Sequence, residues 1–399
     1  MGIFLLRLDC HNLNNFKEGS LTLDFITEKR VSANEADEGA VSNLFGRVYK
    51  LNTIAFAGIN ATGKTTVLSL LSSLLKVYIG NGSLDYEMRF KAFFESTLKV
   101  EAYFYREETK EVYRLVSEIK KDEAAQSLYF LHERLYCKPV LSSTNKENMF
   151  SFSENDLFID RDSADTLFLK REDSVFSIVM NSYTDAGIGV QDLCAITNHN
   201  WISTVAFGLL VPFAQYLDSS IEYIRVKDVA TGQSSRVVFE IKFVNYSAPV
   251  MVEPRDLELY LSSGTIKGIS CLSAITVVLE RGGYILIDEI ENHLNKTIVI
   301  GLIELFAGKM NKKKATLLFS THYSEILDCV GRSDGIYLLD KSSKIELKKF
   351  SNAAGAKDRK DKKKSDLILS GTLAKAPSYQ AYLRMIKNLS AYLKEAAAE

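Results

Sequence analysis

Short apolar runs separated by polar turns begin the chain and predict alternating strands and helices. Apolar residues dominate 2–9 and 20–25, which predicts two strands joined by a turn. Residues 27–47 are polar and acidic, so an inserted loop is predicted there. A compact apolar strand over 51–57 follows. After a glycine-containing turn, the apolar spacing over 66–77 predicts a helix.

The middle of the chain has mainly the alternating pattern that is typical of strands. This alternation predicts strands over 97–106, 112–119 and 128–135, and a further hairpin set over 149–171. Residues 190–217 have apolar positions at helical spacing and are predicted as a helical stretch. We therefore expect the middle of the chain to be a β-rich region with a helical insertion.

Strand and helix patterns alternate again in the last part of the chain. The predicted elements are strands at 221–226, 236–244, 284–287 and 315–320, and helices at 264–279, 296–310 and 379–397. The lysine-rich segment 357–364 precedes the last helix and is interpreted as a mobile, solvated loop. Contact with nucleic acid or with an acidic partner is the alternative interpretation of that segment.

Together these elements predict an α/β fold with a mixed-sheet core assembled from both ends of the chain. An antiparallel β subdomain and an inserted helical region are expected between the two halves of the core. The predicted parts are 1–95 and 256–350 for the two halves of the core, 96–255 for the β-rich subdomain and helical insertion, and 351–399 for the lysine-rich loop and C-terminal helix.

The composition, 46% apolar and 25% charged, is that of a soluble globular protein. The 49 Lys and Arg residues nearly balance the 50 Asp and Glu residues, so no global basic field indicates nucleic acid. No stretch approaches the roughly 18 uninterrupted apolar residues of a membrane helix. Arg7 and Asp9 interrupt the N-terminal apolar run, which argues against a signal peptide. The five scattered cysteines form no CxxC pair, which favours reduced thiols in the cytoplasm over a structural zinc site.

The strongest chemical signal is GINATGKT at 58–65, which matches the phosphate-binding pattern GxxxxGK[ST] between a predicted strand and a predicted helix. In such loops, backbone N–H groups and the helix N-terminus bind phosphate oxygens. Lys64 is expected to reach the β and γ phosphates of ATP, and the Thr65 hydroxyl to hold Mg²⁺. The expected nucleotide-binding residues of this loop are Gly58, Asn60, Ala61, Thr62, Gly63, Lys64, Thr65 and Thr66.

The sequence YILIDE at 284–289 places two carboxylates at the end of an apolar strand. Asp288 is expected to order the magnesium shell, and Glu289 to activate the attacking water. An apolar run that ends in two acidic residues is by itself a weak signal, because many strands end in a solvated acidic turn. Together with the 58–65 loop, the acidic pair becomes a strong signal for a nucleotide site.

Two further motifs bear on the class of ATPase. LSSGT at 261–265 begins a predicted helix, and Ser262, Ser263 and Gly264 offer hydroxyl and N–H groups that suit a phosphate. Because the 58–65 loop already holds a triphosphate, these residues are expected to bind the γ-phosphate held by a second copy. His322 follows a predicted strand and is expected to sense or stabilise the γ-phosphate. Taken singly, LSSGT would be an ordinary helix cap and His322 a structural histidine.

The order GINATGKT, LSSGT, YILIDEIENHLN, FSTHYSEIL resembles soluble ABC-class ATPases related to SMC, RecF and overcoming-lysogenization-defect proteins. It looks most like the compact ATPases of bacterial anti-phage operons. The resemblance implies that 58–65 is the Walker A loop, 262–264 the signature, 288–289 the Walker B pair, His322 the switch histidine and 291–294 the D-loop. It also implies ATP and Mg²⁺ as ligands and a head-to-tail homodimer or larger homo-oligomer.

The sequence departs from the family pattern at several points. Ser263 stands where transporters and SMC proteins have a first glycine, and Gln126 and Gln191 are both poor candidates for the Q-loop glutamine. Only about 75 residues follow the ATPase motifs, too few for a Toprim nuclease domain. No long heptad run separates the 58–65 loop from the signature, so an SMC coiled coil is not expected.

Residues 370–389 are similar to the end of ATPases that act with a separate effector, which in PARIS defence systems has a Toprim-type nuclease fold. The first functional hypothesis is therefore an ATPase that acts as the sensor or scaffold of an anti-phage complex and controls such an effector. The alternative is a RecF-like, DNA-binding ATPase of repair or recombination. A transporter ATPase is disfavoured by the signature, the missing Q-loop glutamine and the large insertion.

Overall fold

The structure is a computed structural model, which describes residues 2–32, 35–36, 39–122, 124–163, 169–181, 189–194, 207–231, 234–355, 358, 362–370 and 379–396. The strands are β1 (Ile3–His11), β2 (Ser20–Asp24), β3 (Val41–Phe45), β4 (Val48–Leu51), β5 (Thr53–Ala57), β6 (Thr97–Arg106), β7 (Glu111–Asp122), β8 (Ser127–Pro139), β9 (Leu157–Asp160), β10 (Gly189–Asp192), β11 (Ile221–Thr231), β12 (Ser234–Phe243), β13 (Val250–Val252), β14 (Gly283–Ile287), β15 (Thr316–Thr321), β16 (Ile336–Lys341) and β17 (Ile345–Lys349). The α-helices are α1 (Lys64–Ile79), α2 (Val175–Asn181), α3 (Leu210–Leu217), α4 (Ser263–Arg281), α5 (Lys296–Ala307), α6 (Phe350–Ala354), α7 (Lys364–Leu369) and α8 (Tyr379–Ala396).

The central sheet has the strand order β10-β14-β15-β5-β16-β17, parallel except for β17. The inner strands β14, β15 and β5 are buried on both faces, which is why they read as continuous apolar runs in the sequence. Leu286 and Leu318 lie in the same apolar cluster as α1. Ile285 and Phe319, one residue along each strand, lie in the cluster that contains α4 and α5. The sheet is therefore covered by helices on both sides.

A second, antiparallel sheet has the order β2-β1-β6-β7-β8-β9. Its apolar residues, such as Leu8 of β1 and Val100 of β6, belong to the same cluster as α1, so α1 lies between the two sheets. A third sheet, β11-β12-β13, packs with α3 and with Ile266 and Ile269 of α4. The predicted α/β fold with a mixed-sheet core and an antiparallel β subdomain is thus confirmed.

One helix among the described residues, α4, is long and apolar enough to cross a membrane by length and composition, but 67% of that stretch is buried inside the protein. Its apolar residues contact the central sheet on one side and the β11-β12-β13 sheet on the other. Burial between two sheets accounts for the hydropathy of α4.

Two predictions of local structure were wrong. Residues 190–192, at the start of the stretch predicted as helical, belong to β10, because parallel pairing with β14 determines their conformation. Within the stretch predicted as a loop, Val41 and Leu44 are buried, and β3 pairs with β4. Of the predicted hairpin set over 149–171, the described residues contain β9, and residues 164–168 lie outside the described residues. Of the predicted lysine-rich loop, Lys364 begins α7, while residues 357 and 359–361 lie outside the described residues.

Candidate nucleotide-binding site

Three adjacent parallel strands of the central sheet place the 58–65 loop, Asp288 and His322 at one edge of the sheet. The strand β5 ends at Ala57 and leads into the 58–65 loop, β14 ends just before Asp288, and β15 ends just before His322. These strands are neighbours in the order β14-β15-β5. Their carboxyl ends therefore meet, which is where open α/β sheets bind ligands.

The 58–65 loop is curled by two residues in the left-handed region. Ala61 has φ 63° and Gly63 has φ 98°, and Gly63 is the N-cap of α1. Only glycine adopts such a φ at little cost, and a Cβ on Gly63 would also clash with the Ile345 side chain. The Thr62 hydroxyl donates to the Ile59 carbonyl at 2.8 Å, so a side chain of the loop itself fixes its curvature. Asn60, Ala61 and Thr65 are exposed, and Thr66 is half-buried.

Lys64 lies inside this curl and is only 5% exposed. Its Nζ donates to the carbonyls of Gly58 at 2.7 Å and Ile59 at 2.9 Å, and lies 3.0 Å from Nδ1 of His322. Burial lowers the pKa of Lys64, and the nearby carboxylates, led by Asp288, oppose that shift. The ammonium is thus held at the mouth of the loop by several short contacts.

Asp288 is 7% exposed and accepts two hydrogen bonds from different elements. The Thr65 hydroxyl donates to Oδ2 at 2.6 Å, and the Ser320 hydroxyl donates to Oδ1. Ser320 also accepts a hydrogen bond from the Glu289 N–H at 2.7 Å. Ser320 is not among the site residues that the sequence motifs indicate. The available signal was a small polar residue next to Thr321 at the end of an otherwise apolar strand.

The Thr65 hydroxyl and the Asp288 carboxylate suit the metal that the sequence predicted. Mg²⁺ prefers oxygen ligands and is usually bound through one or two carboxylates together with substrate phosphates. Among the described residues, no group of three or more His, Cys, Asp and Glu side chains is arranged to hold a metal ion. The two oxygen donors, already at hydrogen-bond distance from each other, fit a magnesium ion that is held jointly with a bound phosphate.

Glu289 and His322 form a pair at the same edge. Nε2 of His322 lies 2.9 Å from Oε1 of Glu289, and Nδ1 lies 3.0 Å from the Lys64 ammonium. Nδ1 also lies 3.2 Å from the Gly58 carbonyl oxygen, so its neighbours are one donor and one acceptor. An ionised carboxylate can only accept, so the contact with Glu289 is made by the N–H at Nε2. His322 therefore donates to the Glu289 carboxylate. Glu289 itself has φ 47°, a left-handed conformation that is unusual for a residue with a side chain.

The Ser262–Gly264 turn belongs to a different part of the surface. Ser262 caps α4 by accepting a hydrogen bond from the Thr265 N–H at 3.0 Å. The Ser263 hydroxyl lies 3.3 Å from Nδ1 of His293, and a Cβ on Gly264 would clash with the His293 carbonyl oxygen. The hydrogen bonds of Ser262 and Ser263 thus stay within α4 and the 288–294 turn, and none in the described part of the chain joins them to the 58–65 loop.

The two glutamines considered for the Q-loop lie far apart in the fold. Gln126 is in the turn between β7 and β8 of the antiparallel sheet. Gln191 lies in β10, where it pairs with Ile285 of β14. The strand that carries Gln191 therefore runs beside the strand that leads to Asp288. Residues 195–206, which follow β10, lie outside the described residues.

No protein-family model matches the chain, and no curated protein matches it. Similar solved structures include an SMC head domain with an extended coiled coil, bound to the C-terminal domain of ScpA and derived from Pyrococcus furiosus. Its sequence is 10% identical, the match covers 90% of this chain and 99% of that chain, and the TM-score is 0.47. The SMC head domain from Thermotoga maritima has 12% identity, coverages of 86% and 98%, and a TM-score of 0.40. The recombination mediator protein RecF with ATPγS has 11% identity, coverages of 86% and 98%, and a TM-score of 0.38. Similarities at this level carry no functional argument.

Proposed function

We propose that this protein is an ABC-type ATPase that binds ATP and Mg²⁺ at the 58–65 loop and hydrolyses ATP slowly. The observation that carries the proposal is the convergence of Lys64, Asp288 and the Glu289–His322 pair at the ends of three neighbouring parallel strands. A curled loop with a lysine, a metal-binding carboxylate and a positioned base are the parts that phosphoryl transfer to water requires.

Each side chain has a separate task in this proposal. Lys64 and the N–H groups of the loop bind the phosphates, and Thr65 and Asp288 hold Mg²⁺, which neutralises developing charge on the phosphate oxygens. Glu289 accepts the proton of the attacking water, and the Nε2–H of His322 fixes the orientation of the Glu289 carboxylate. The wider set of nucleotide-binding residues remains the one predicted from the sequence, from Gly58 through Thr66.

A second copy of the chain completes each site in this proposal. Ser262–Gly264 begin α4, a 19-residue helix whose N-terminal N–H groups suit a phosphate, and they have no hydrogen bond to the 58–65 loop of their own chain in the described residues. Two copies arranged head to tail would place each signature turn against the ATP of the other. Closing the site excludes water and aligns the reacting groups.

For the biological role, we propose a cytoplasmic sensor or scaffold of an anti-phage complex that controls a separate effector, of the Toprim nuclease type. The support is the resemblance of the motifs and of residues 370–389 to such ATPases. The RecF-like alternative differs in one measurable property, because it requires ATP-dependent DNA binding that weakens steeply with salt.

The test uses purified full-length protein, with ATP turnover, nucleotide binding and native mass measured with and without ATP. The Glu289→Gln variant should bind ATP, lose turnover and accumulate as an ATP-bound dimer, because its binding groups remain while the base is removed. Glu280→Gln, an exposed glutamate near the end of α4, is the matched control and should behave as the wild type.

Four results would contradict different parts of the proposal. Wild-type protein that binds no ATP would remove the ATPase function altogether. Turnover by Glu289→Gln at the wild-type rate would show that Glu289 is not the base. DNA binding that requires ATP would favour the RecF-like role over the sensor role, and equal defence by a Lys64→Ala, Glu289→Gln double variant would exclude the sensor role.

A further inference from the structure

Lys267, in the second turn of α4, contacts the 288–294 turn, which carries Glu289. Its side chain is almost fully buried, and its Nζ is within 3.4 Å of the Glu289 carbonyl oxygen. Lys267 belongs to the same helix as the signature turn, three residues after Gly264. A buried ammonium that reaches a backbone carbonyl of the neighbouring element needs an explanation, because long cationic side chains are rarely buried without one.

The start of α4 meets the 288–294 turn at a second place. Ser263 is close to the His293 imidazole, and the carbonyl of His293 packs against the Cα of Gly264 without room for a Cβ. Contacts at both ends of the turn, at His293 and at Glu289, connect it to one rigid helical segment. A shift of the α4 N-terminus therefore moves the turn as well.

The backbone of Glu289 is held from two sides. Ser320 of β15 accepts a hydrogen bond from its N–H, and its carbonyl accepts one from the Asn292 N–H at 2.8 Å and a longer one from Lys267 of α4. These bonds support the left-handed φ of 47° that Glu289 adopts. Strained conformations of this kind persist only where the surrounding structure holds them.

The charge of Lys267 also faces an acidic cluster. Burial lowers the pKa of Lys267, and the nearby Cys271 thiol and the carboxylates of Glu291, Glu289 and Asp288 oppose that shift. Glu291 accepts the His322 N–H at 2.6 Å through Oε1, and its buried Oε2 has no hydrogen-bond partner among the described residues. The ammonium therefore lies where it offsets negative charge that the turn does not neutralise by itself.

We propose that Lys267 is a positioning residue. When the ATP of a second copy contacts the signature turn, Lys267 transmits that contact to the orientation of Glu289 in the same chain as Lys267. This inference rests on the proposed function. Engagement of Ser262–Gly264 fixes the α4 N-terminus, and Lys267 transmits that position to the Glu289 backbone. Hydrolysis in one site then depends on occupancy of the other.

The test compares Lys267→Met with Lys267→Arg, and uses Lys309→Met, an exposed lysine, as the control. The measurements are thermal unfolding, affinity for a fluorescent ATP analogue, ATP-induced dimer formation in the Glu289→Gln background, and turnover as a function of ATP concentration. Lys267→Met should lower kcat by about tenfold and abolish cooperative dependence on ATP, within the usual range of coupling between sites. ATP affinity and dimer formation should stay close to wild type, and Lys267→Arg should recover much of kcat.

Other outcomes would contradict the coupling role. Unchanged kcat and unchanged cooperativity in Lys267→Met would overturn it. Equal losses of thermal stability, affinity and kcat, with no recovery in Lys267→Arg, would make Lys267 a structural residue only. If Lys267→Met does not fold, Lys267→Gln, which keeps a donor without the charge, takes its place in the same comparison. Absence of ATP binding by the wild type would instead reject the proposed function.

Discussion

Two turns in this chain precede long helices, the 58–65 loop before α1 and the Ser262–Gly264 turn before α4, and they differ in what surrounds them. The first turn contacts the ends of two other strands, through Thr65 with Asp288 and through Lys64 with His322. The hydrogen bonds of the second, in the part of the chain that the structure describes, join it to its own helix and to His293. The predicted nucleotide loop therefore contacts the predicted catalytic residues, whereas the hydrogen bonds of the predicted signature turn, among the described residues, do not reach that loop.

This difference has a physical consequence for assembly. Both helices present N-terminal N–H groups, which favour an anion. At the 58–65 loop the buried cation is Lys64, and Thr65 donates to the Asp288 carboxylate, whereas the buried cation of α4, Lys267, contacts the Glu289 carbonyl. In the proposed head-to-tail arrangement, each signature turn would reach the nucleotide held by the other chain.

The largest expected effect is on the first turn. Lys64→Ala should weaken ATP binding by about a hundredfold or more, because hydrogen bonds to charged groups contribute about 1.5–3 kcal/mol each and the ammonium can make several. Titration with a fluorescent nucleotide measures the effect. Lys312→Ala, an exposed lysine in the turn before β15, should bind ATP normally. If Lys64→Ala bound ATP as tightly as the wild type, the 58–65 loop would not differ from the signature turn in holding the nucleotide by itself.

The next effect tests the second turn. Gly264→Ala introduces a Cβ that clashes with the His293 carbonyl and displaces the start of α4. ATP binding should persist, while ATP-dependent dimer formation is lost and turnover falls by about a hundredfold, the cost of a small misplacement of reacting groups. Native mass and steady-state turnover are the measurements. Gly208→Ala has open space around its Cβ and is the control. If Gly264→Ala loses ATP affinity instead, the two turns act in one site of one chain.

Sequence patterns predicted the elements that carry the site, because these are long and buried. The helix α1 and the strands β14 and β15 have continuous or periodic apolar residues, and their predicted bounds differ from the observed ones by only a few residues. The strand β10 could not be predicted in this way, since four residues have little periodicity and their conformation depends on pairing with β14. The four-part division of the chain remains a prediction.

Among the site residues, the sequence indicated those that belong to motifs and missed those that act through tertiary contacts. His322 was indicated by its place after a predicted buried strand, and that strand, β15, neighbours β14 in the sheet. Ser320 and Lys267 were missed because a serine in a strand and a lysine in a helix carry no chemical signal until the neighbouring elements are known. Their partners, the backbone of Glu289 in both cases, are set by the fold.

A smaller effect on turnover is expected at Ser320, which holds the Asp288 carboxylate and the Glu289 backbone beside the 58–65 loop. Ser320→Ala removes the donor to Asp288 and leaves the Glu289 N–H without its partner, a loss of about 1–3 kcal/mol. Turnover should fall about tenfold while ATP affinity changes little. Ser273→Ala, an equally buried serine of α4, controls for the loss of a buried hydroxyl. A matching fall in both variants would assign the effect to stability, which thermal unfolding would also report.

The smallest effect concerns the shape of the 58–65 loop. Thr62→Ala removes the hydrogen bond to the Ile59 carbonyl, which holds the curl of the loop before any ligand binds. A neutral hydrogen bond contributes about 0.5–1.5 kcal/mol, so ATP affinity should fall about threefold. Thr62→Ser keeps the hydroxyl and should bind like the wild type. Because preorganisation lowers the cost of binding, a threefold loss confined to Thr62→Ala would mean that the loop is shaped within one chain. A loss that appears only at protein concentrations where dimers form would mean that the second copy shapes both turns.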